Sequence, residues 1–350
     1  MERRGAKATN MNKHPLNEPE WKRPASMGRW SVLACLFLVA VGQMPSRAAG
    51  THAGGNTNAV LRLGFTSSVF GNVNENDAKA AMRIWAQAIA KERGAFIPAD
   101  SLVLNGNEAI ASAVRNKLVD GVTMTTEEYW VLGGAYMSTN TVLGVNRGLA
   151  TEEYVLLVRR ESNIQRIDEL RGRTLAFCQN ARHSLAPVWF DTLLLKSGLG
   201  QTREFCGRVI QGAKLAQTVL PVFFHQCEAC VVTRRGFQTM TELNPQVGQQ
   251  LKVLASSPPM VPVVFLFRAD YWDPARDEII AEIENVHSTV ADQQVLTLFQ
   301  CDGLQVHPVS ALDSALELLA THASLVGAAR PPDPARAGVP LAHVETPDQN

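Results

Sequence analysis

Apolar residues recur along the chain in two alternating periods, which predicts strands and helices in turn. Short apolar runs at 61–65, 102–104 and 122–124 are bounded by polar turns and predict strands. The segments 78–91 and 108–118 carry apolar residues at helical spacing and predict the helices between them. A strand, helix, strand, helix, strand order predicts parallel pairing with right-handed crossovers.

The same alternation begins again in the middle of the chain. Tyr154 to Val158 is an extended apolar run, and strands at 174–177 and 229–233 alternate with helices at 185–196 and 214–224. The remaining predicted elements are two strands and three helices, at 251–255, 263–267, 277–287, 290–299 and 310–322.

Two extended connections, near Tyr154 and Pro262, predict two crossings between lobes. The first lobe is expected to consist of about 60–153 and 257–326, and the second of about 154–256. Residues 327–350 carry five prolines in 24 residues and no apolar period, so they predict a disordered tail.

The first 49 residues predict a cleaved export signal. Within 27–49, Arg29 precedes an apolar run at 31–42, and small residues follow near Ala48. The run is shorter than the roughly 20 residues that a membrane-spanning helix needs. Residues 1–26 form a long polar n-region, which leaves Met1 and Met27 both open as the start, with Met27 at the usual position.

Composition narrows the function classes. The 350 residues have a formal net charge of zero, which argues against a basic nucleic-acid groove. We find no catalytic, cofactor or metal motif in the sequence. Five cysteines remain after the predicted leader, an odd number for an oxidising compartment. Structural thiols, a disulfide within the set and metal or redox chemistry all stay open for Cys178, Cys206, Cys227, Cys230 and Cys301.

Several local sequences, in their order along the chain, resemble one known family. They are the opening strand with its hydroxyl-rich turn and the segments 107–121, 167–177, 228–233 and 256–258. The chain resembles the phosphonate/phosphate-type periplasmic substrate-binding proteins of ABC transporters over about 60–321. The resemblance implies an α/β, two-lobed type II periplasmic-binding-protein fold, with each lobe a mostly parallel sheet flanked by helices.

The resemblance also implies a function. It implies a monomeric periplasmic protein that binds a small anionic ligand, phosphonate-like or phosphate-like, in the cleft between the lobes. The implied partner is an ABC permease in the inner membrane, with no cofactor, no nucleic acid and no catalysis. Two alternatives stay open: a periplasmic sensor that feeds a membrane receptor or kinase, and an enzyme on the same fold.

The family holds phosphoryl oxygens with a hydroxyl-rich loop that enters a helix of the second lobe, where N–H groups and the helix dipole favour anions. The corresponding segment here is 181–187, in which Ser184 keeps a hydroxyl. Arg182 and His183 depart from the family pattern. Either they form charge-assisted hydrogen bonds to an oxyanion, or they mark a changed ligand.

These departures give two expectations. An exposed Arg182 would contribute to anion affinity and little to stability. A ligand-contacting His183 would raise affinity as the pH falls through about 6.5, the pKa of an unperturbed imidazole.

Other candidate ligand-binding residues follow the carboxyl ends of predicted strands, where ligands bind in open α/β sheets. Solvated turns and exposed arginines are the alternative interpretation. The candidates are Thr66, Ser67, Ser68, Thr125, Tyr129, Thr233 and Arg234.

Overall fold

The computed structural model describes residues 61–70, 76, 77, 79, 80, 99–272, 276, 280 and 290–327. The chain divides into two compact units, Met1–Ala53 and Gly54–Asn350, and every described residue belongs to the second. The predicted leader, the tail beyond 327 and most of the helices predicted at 78–91 and 277–287 therefore lie outside the described residues. Within the described part, no helix has the length and apolar character needed to cross a membrane.

The described strands form two sheets, and this confirms an α/β fold with two sheets and helices. The first sheet has the order β11-β4-β10-β3-β1-β2. Its strands are β1 (Leu61–Thr66), β2 (Ala99–Leu104), β3 (Gly121–Thr125), β4 (Met137–Val145), β10 (Val263–Arg268) and β11 (Gly303–Pro308).

The second sheet lies between the two segments of the first along the chain. Its order is β7-β6-β8-β5-β9. Its strands are β5 (Tyr154–Arg159), β6 (Thr174–Cys178), β7 (Arg208–Gly212), β8 (Ala229–Thr233) and β9 (Leu251–Ser256).

Helices connect the strands of both sheets. The α-helices that the structure describes are Ser67–Phe70, Asn107–Arg115, Thr126–Leu132, Ala186–Lys196, Thr202–Phe205, Leu215–Phe223, Arg234–Leu243, Pro245–Gln250, Val290–Leu298 and Asp313–Leu325. Short 3-10 helices add Gly134–Tyr136, Ile167–Leu170, Ala181–His183 and Val309–Leu312.

Both sheets are mixed, which corrects the expectation of mostly parallel sheets. β1 pairs in parallel with β2 and β3, but β10 runs antiparallel to β3 and β4. In the second sheet β6 pairs in parallel with β7 and β8, while β5 is antiparallel to β8 and β9. β5 and β10 each follow a segment in which the chain passes from one sheet to the other, so no crossover helix sets their direction.

Alternation along strand β5 explains why the second sheet is buried on both faces. Tyr154, Leu156 and Val158 pack into one apolar cluster, whereas Val155 and Leu157 pack into another. Successive side chains of a strand point to opposite faces, so a continuous apolar run requires a cover on each side.

The two connections between the sheets lie side by side. Glu152 and Met260 form an isolated antiparallel bridge, with both backbone N–H groups donating to the opposite carbonyl at 2.8 and 2.9 Å. This arrangement agrees with two extended crossings near Tyr154 and Pro262. The exact limits of the two lobes stay a prediction.

Candidate functional site

A cavity of about 710 Å³ opens where the loops of the two sheets meet. One wall, the first-sheet wall, consists of Ser67, Ser68, Asn107, Thr125, Glu127, Glu128 and Val131. The opposite wall, the second-sheet wall, consists of Phe177, Cys178, Gln179, Asn180, Ala181, His183, Ser184, Pro187 and Gln211. A ligand bound here would contact both parts of the fold.

The cavity contains five of the ten sequence-predicted ligand residues. Their presence in one wall or the other follows from the carboxyl ends of β1, β3 and β6, which all meet at the cavity. The five are Ser67, Ser68, Thr125, His183 and Ser184. The other five, Thr66, Tyr129, Arg182, Thr233 and Arg234, are not among the described residues that line it.

A capping box shapes the first-sheet wall. Strand β3 ends at Thr125, whose hydroxyl accepts the Glu128 backbone N–H at 3.2 Å and so starts the helix Thr126–Leu132. In return the Glu128 carboxylate accepts the Thr125 backbone N–H at 2.8 Å. The same carboxylate accepts the hydroxyls of Thr66 at 2.7 Å and Ser68 at 2.8 Å. This network fixes Glu128 at the cavity.

Glu127 is the other carboxyl of the first-sheet wall. It lines the cavity, and no described residue donates a hydrogen bond to it or forms an ion pair with it. Burial, and secondly the charge of Glu128, raise the pKa of Glu127 to about 7. Because both effects disfavour its charged form, this carboxyl changes ionisation near neutral pH.

The second-sheet wall presents a neutral histidine. The His183 side chain is buried, its Nδ1 lies 2.8 Å from Asn180 Oδ1, and its Nε2 accepts the Thr233 backbone N–H at 3.1 Å. Burial, and secondly the charge of Arg182, lower the pKa of His183 to about 3. Because both ring nitrogens are engaged and this lowered pKa keeps the imidazole uncharged at pH 6.5, the structure argues against the expected rise in affinity there, which stays a prediction.

Arg182 turns away from the cavity. Its guanidinium pairs with the carboxylate of Glu152, which is buried, and also donates to the Gln300 carbonyl at 3.1 Å. The expectation of an exposed Arg182 with little structural role is therefore wrong. A carboxylate that is removed from water at the crossing between the sheets requires this counter-charge.

The remaining predicted residues have structural partners. Arg234 forms a two-pronged pair with Glu153, at 2.6 Å for each contact. Thr233 is buried, and its hydroxyl accepts the Gly236 backbone N–H at 3.1 Å to cap the next helix. Thr66 is fully buried, with its hydroxyl on Glu128, and Tyr129 packs in the apolar cluster beneath the first sheet.

Neutral donors occupy much of the cavity wall. Ser67, Asn107, Gln179 and Gln211 line it, and their side chains form no hydrogen bond with any described residue. Ser184 donates to the Pro262 carbonyl at 3.3 Å, just before the helix Ala186–Lys196, which has no side-chain cap. Hydroxyl and amide groups of this kind can bind an oxyanion without a formal positive charge.

The sequence reasoning missed Glu127 and Glu128, although one signal was readable. Thr125-Thr126-Glu127-Glu128 has the spacing of a capping box, which predicts both the helix start and the position of Glu128 beside Thr125. Asn107, Gln179 and Gln211 carry no comparable signal, because only the tertiary fold brings them to one cavity.

All five described cysteines are free thiols, and three of them, Cys178, Cys227 and Cys230, are buried. Among the described residues, no group of three or more His, Cys, Asp or Glu side chains has a metal-binding arrangement.

Comparison with known proteins identifies a family and a fold. A family model described as ABC transporter, phosphonate, periplasmic substrate-binding protein matches residues 68–310. No match is found among curated proteins.

Three solved structures share the fold at low sequence identity. Protein XAC2383 from Xanthomonas citri, bound to chloride ion, has a TM-score of 0.54 and 17% identity over 77% of this chain and 99% of its own. A binding protein component of an ABC phosphonate transporter from Pseudomonas aeruginosa has a TM-score of 0.51 and 14% identity, over 76% and 87%. PhnD1 from Prochlorococcus marinus, in complex with methylphosphonate, has a TM-score of 0.50 and 13% identity, over 78% and 99%.

Proposed function

Because this chain belongs to the family of phosphonate periplasmic substrate-binding proteins of ABC transporters, we propose that the cavity described above is its ligand site. Family membership makes the chain a periplasmic, solute-binding component of an importer. The ligand that we propose is a small anion of the phosphonate type. The bound form would then be presented to an ABC permease.

One observation carries this proposal. The cavity takes its wall from both sheets, with Ser67 and Thr125 on one side and Gln179 and Gln211 on the other. A ligand that bridges the two walls stabilises one relative arrangement of them, which a permease can recognise. The volume of about 710 Å³ lies in the range of small-molecule sites.

Neutral donors are proposed to hold the oxyanion. Asn107, Gln211 and Ser67 line the cavity and have no side-chain hydrogen bond to a described residue, and Ser184 adds a hydroxyl from the loop that resembles the family's anion loop. The first turn of the helix Ala186–Lys196 adds the positive end of a helix dipole close to Ser184 and Pro187.

Ligand binding can be tested by thermal unfolding with methylphosphonate, ethylphosphonate, phosphate, sulfate, methanesulfonate and acetate. A ligand that binds only the folded protein adds about 2.7 kcal/mol of stability at a hundredfold excess over Kd. We expect a phosphonate to raise the Tm most.

A variant pair locates the site. Gln211→Ala should weaken phosphonate binding roughly threefold to tenfold, the worth of one hydrogen bond. Gln249→Ala removes the same side chain at an exposed position that is not among the described cavity residues, and it should bind as the unaltered protein does. If no anion in the panel raises the Tm, the proposed ligand class is wrong. If the two variants bind equally, this wall of the cavity is not the site.

Export and non-enzymatic action complete the proposal. We propose that the leader is cleaved between about Ala48 and Gly50, and N-terminal sequencing of exported protein checks this. An exported product that begins at Met1 or Met27 would contradict it.

A carrier should also return its ligand unchanged, so phosphorus NMR after long incubation with methylphosphonate should show a single, unaltered species.

A further inference from the structure

The charge of the cavity conflicts with the charge of its proposed ligand. Two carboxyl groups, Glu127 and Glu128, belong to the first-sheet wall. Among the described residues that line the cavity, none is a lysine or an arginine. An anion that enters a site with two ionised carboxylates and no cation would be repelled, and the repulsion grows as water is excluded.

The carboxylate of Glu128 already accepts hydrogen bonds at both of its oxygens. Its Oε2 atom accepts the Thr66 hydroxyl, the Thr125 hydroxyl and the Thr125 backbone N–H, and its Oε1 atom accepts the Ser68 hydroxyl. Both oxygens therefore act as acceptors, as those of an ionised carboxylate do.

Glu127 has no such ties. No described residue donates a hydrogen bond to it or forms an ion pair with it, and it lines the cavity. Its pKa of about 7, raised by burial and by Glu128, means that a proton is available to it near neutral pH at little cost.

Within the described part of the chain, the other titratable groups around Glu127 do not supply a positive charge. Glu128 is on the same helix as Glu127. The second sheet contributes Tyr154, and burial raises the pKa of Tyr154 well above its usual value, with a smaller contribution from Glu127. The loop after β6 contributes neutral His183, and burial raises the pKa of the Cys178 thiol at the end of that strand. Arg182, the cation of this loop, is paired with Glu152.

We propose that Glu127 is the specificity-determining residue of the site: its carboxyl is protonated when the anion is bound and donates a hydrogen bond to a ligand oxygen, so that capture takes up one proton from solvent. No covalent bond of the ligand changes. The inference rests on the proposed function, because it assumes an anionic ligand. A protonated carboxyl removes one of the two repelling charges and replaces it with a donor.

The test compares the pH dependence of methylphosphonate binding in three proteins: the unaltered chain, Glu127→Gln and Glu161→Gln. Glutamine keeps the size of the glutamate and is uncharged at every pH. Glu161 lies in an exposed turn and provides the same charge change outside the described cavity wall. The ratio of two Kd values at one pH cancels the ionisation of the ligand itself.

Above the pKa of Glu127, the Kd of the unaltered protein should rise roughly tenfold per pH unit relative to the Kd of Glu127→Gln. Glu161→Gln should follow the unaltered protein. Calorimetry at pH 8 in two buffers of different ionisation enthalpy should show close to one more proton taken up per ligand by the unaltered protein than by Glu127→Gln. If Glu127→Gln does not fold, the proton count of the unaltered protein, corrected for the known ionisation of methylphosphonate, decides alone.

Four results would overturn the inference. A Kd ratio between the unaltered protein and Glu127→Gln that does not change with pH, or a corrected proton count of zero, removes the role of Glu127 while anion binding stands. Tighter binding of 2-aminoethylphosphonate than of ethylphosphonate, by tenfold or more and lost in Glu127→Gln, would show instead that an ionised Glu127 binds a ligand cation. Absence of anion binding in every protein at every pH overturns the proposed function and this inference together.

Discussion

The two walls of the cavity show opposite relations between the charges in their sequence and the charges that they present. The loop Gln179 to Ser184 carries an arginine and a histidine, yet its contribution to the cavity is uncharged. The helix start after β3 carries two glutamates, and both of them, Glu127 and Glu128, line the cavity. The wall with cations in its sequence is the neutral one.

The difference arises from what each charged side chain can reach. Glu152 is buried at the crossing between the sheets and takes Arg182 as its counter-charge, 30 residues along the chain. Glu128 lines the cavity and accepts three hydroxyls and a backbone N–H, so it is held there with no cation among the described residues paired to it. A buried charge is placed by its partner, and a cavity charge by the donors around it.

The largest expected effect tests the cation of the second-sheet wall. Arg182→Ala leaves Glu152 buried without its counter-charge, and we expect a loss of about 3 kcal/mol in the free energy of unfolding. The value is at the low end for such pairs because 22% of the Arg182 side chain is exposed. Urea unfolding at pH 7 measures the change.

An exposed ion pair provides the control. Arg203 and Glu204 pair at 3.8 Å with side chains 79% and 64% exposed, so Arg203→Ala should leave stability nearly unchanged. In a double-mutant cycle, the variant that combines Arg182→Ala with Glu152→Gln should recover much of the lost free energy of unfolding, since the uncompensated charge is then absent. If Arg182→Ala instead weakens methylphosphonate binding and leaves stability intact, the arginine belongs to the site and not to the crossing.

The elements that the sequence predicted well are those with an apolar period. The strands from Leu61, Tyr154, Thr174 and Ala229 all appear within a residue or two of their predicted limits. Their runs are buried on both faces, so hydrophobicity alone marks them.

The elements that escaped prediction have a less apolar pattern. Strands β7 and β11 have no fully buried residue except Gly212, and β4 mixes buried and exposed positions irregularly. All three pair at or near an edge of a sheet, where tertiary contacts and not a local period define the strand. Strand direction was equally out of reach, because β5 and β10 take theirs from the crossings.

For the site, the sequence located the regions better than the roles. Carboxyl ends of strands predicted Ser67, Ser68 and Thr125 at the cavity, where they lie. The directions of Arg182 and Arg234 could not be predicted, since Glu152 and Glu153 become their partners only when the crossing forms.

A smaller effect is expected from His183, the histidine of the second-sheet wall, and it appears as a dependence of stability on pH. In the folded protein, burial and the Arg182 charge lower the pKa of His183 to about 3, whereas an unfolded histidine has a pKa near 6.5. Between these values only the unfolded state binds the proton, so acid favours unfolding. From pH 7 to pH 5 we expect His183 to account for a loss of about 2 kcal/mol in the free energy of unfolding. Protonation of Glu and Asp residues adds a further loss, which is common to the unaltered protein and to a variant of His183.

Urea unfolding of the unaltered protein and of His183→Gln at the two pH values isolates this contribution. Glutamine does not titrate, so the variant should be less stable at pH 7, where it loses the buried contacts to Asn180 and Thr233, but should lose about 2 kcal/mol less on acidification. His225→Asn is the control: His225 is exposed with a φ of 62°, a backbone conformation that Asn tolerates, and this variant should keep the acid sensitivity of the unaltered protein. Equal acid sensitivity in the unaltered protein and His183→Gln would mean that His183 is protonated while the protein is folded. The second-sheet wall would then be cationic near pH 5, and the contrast between the two walls would hold only at higher pH.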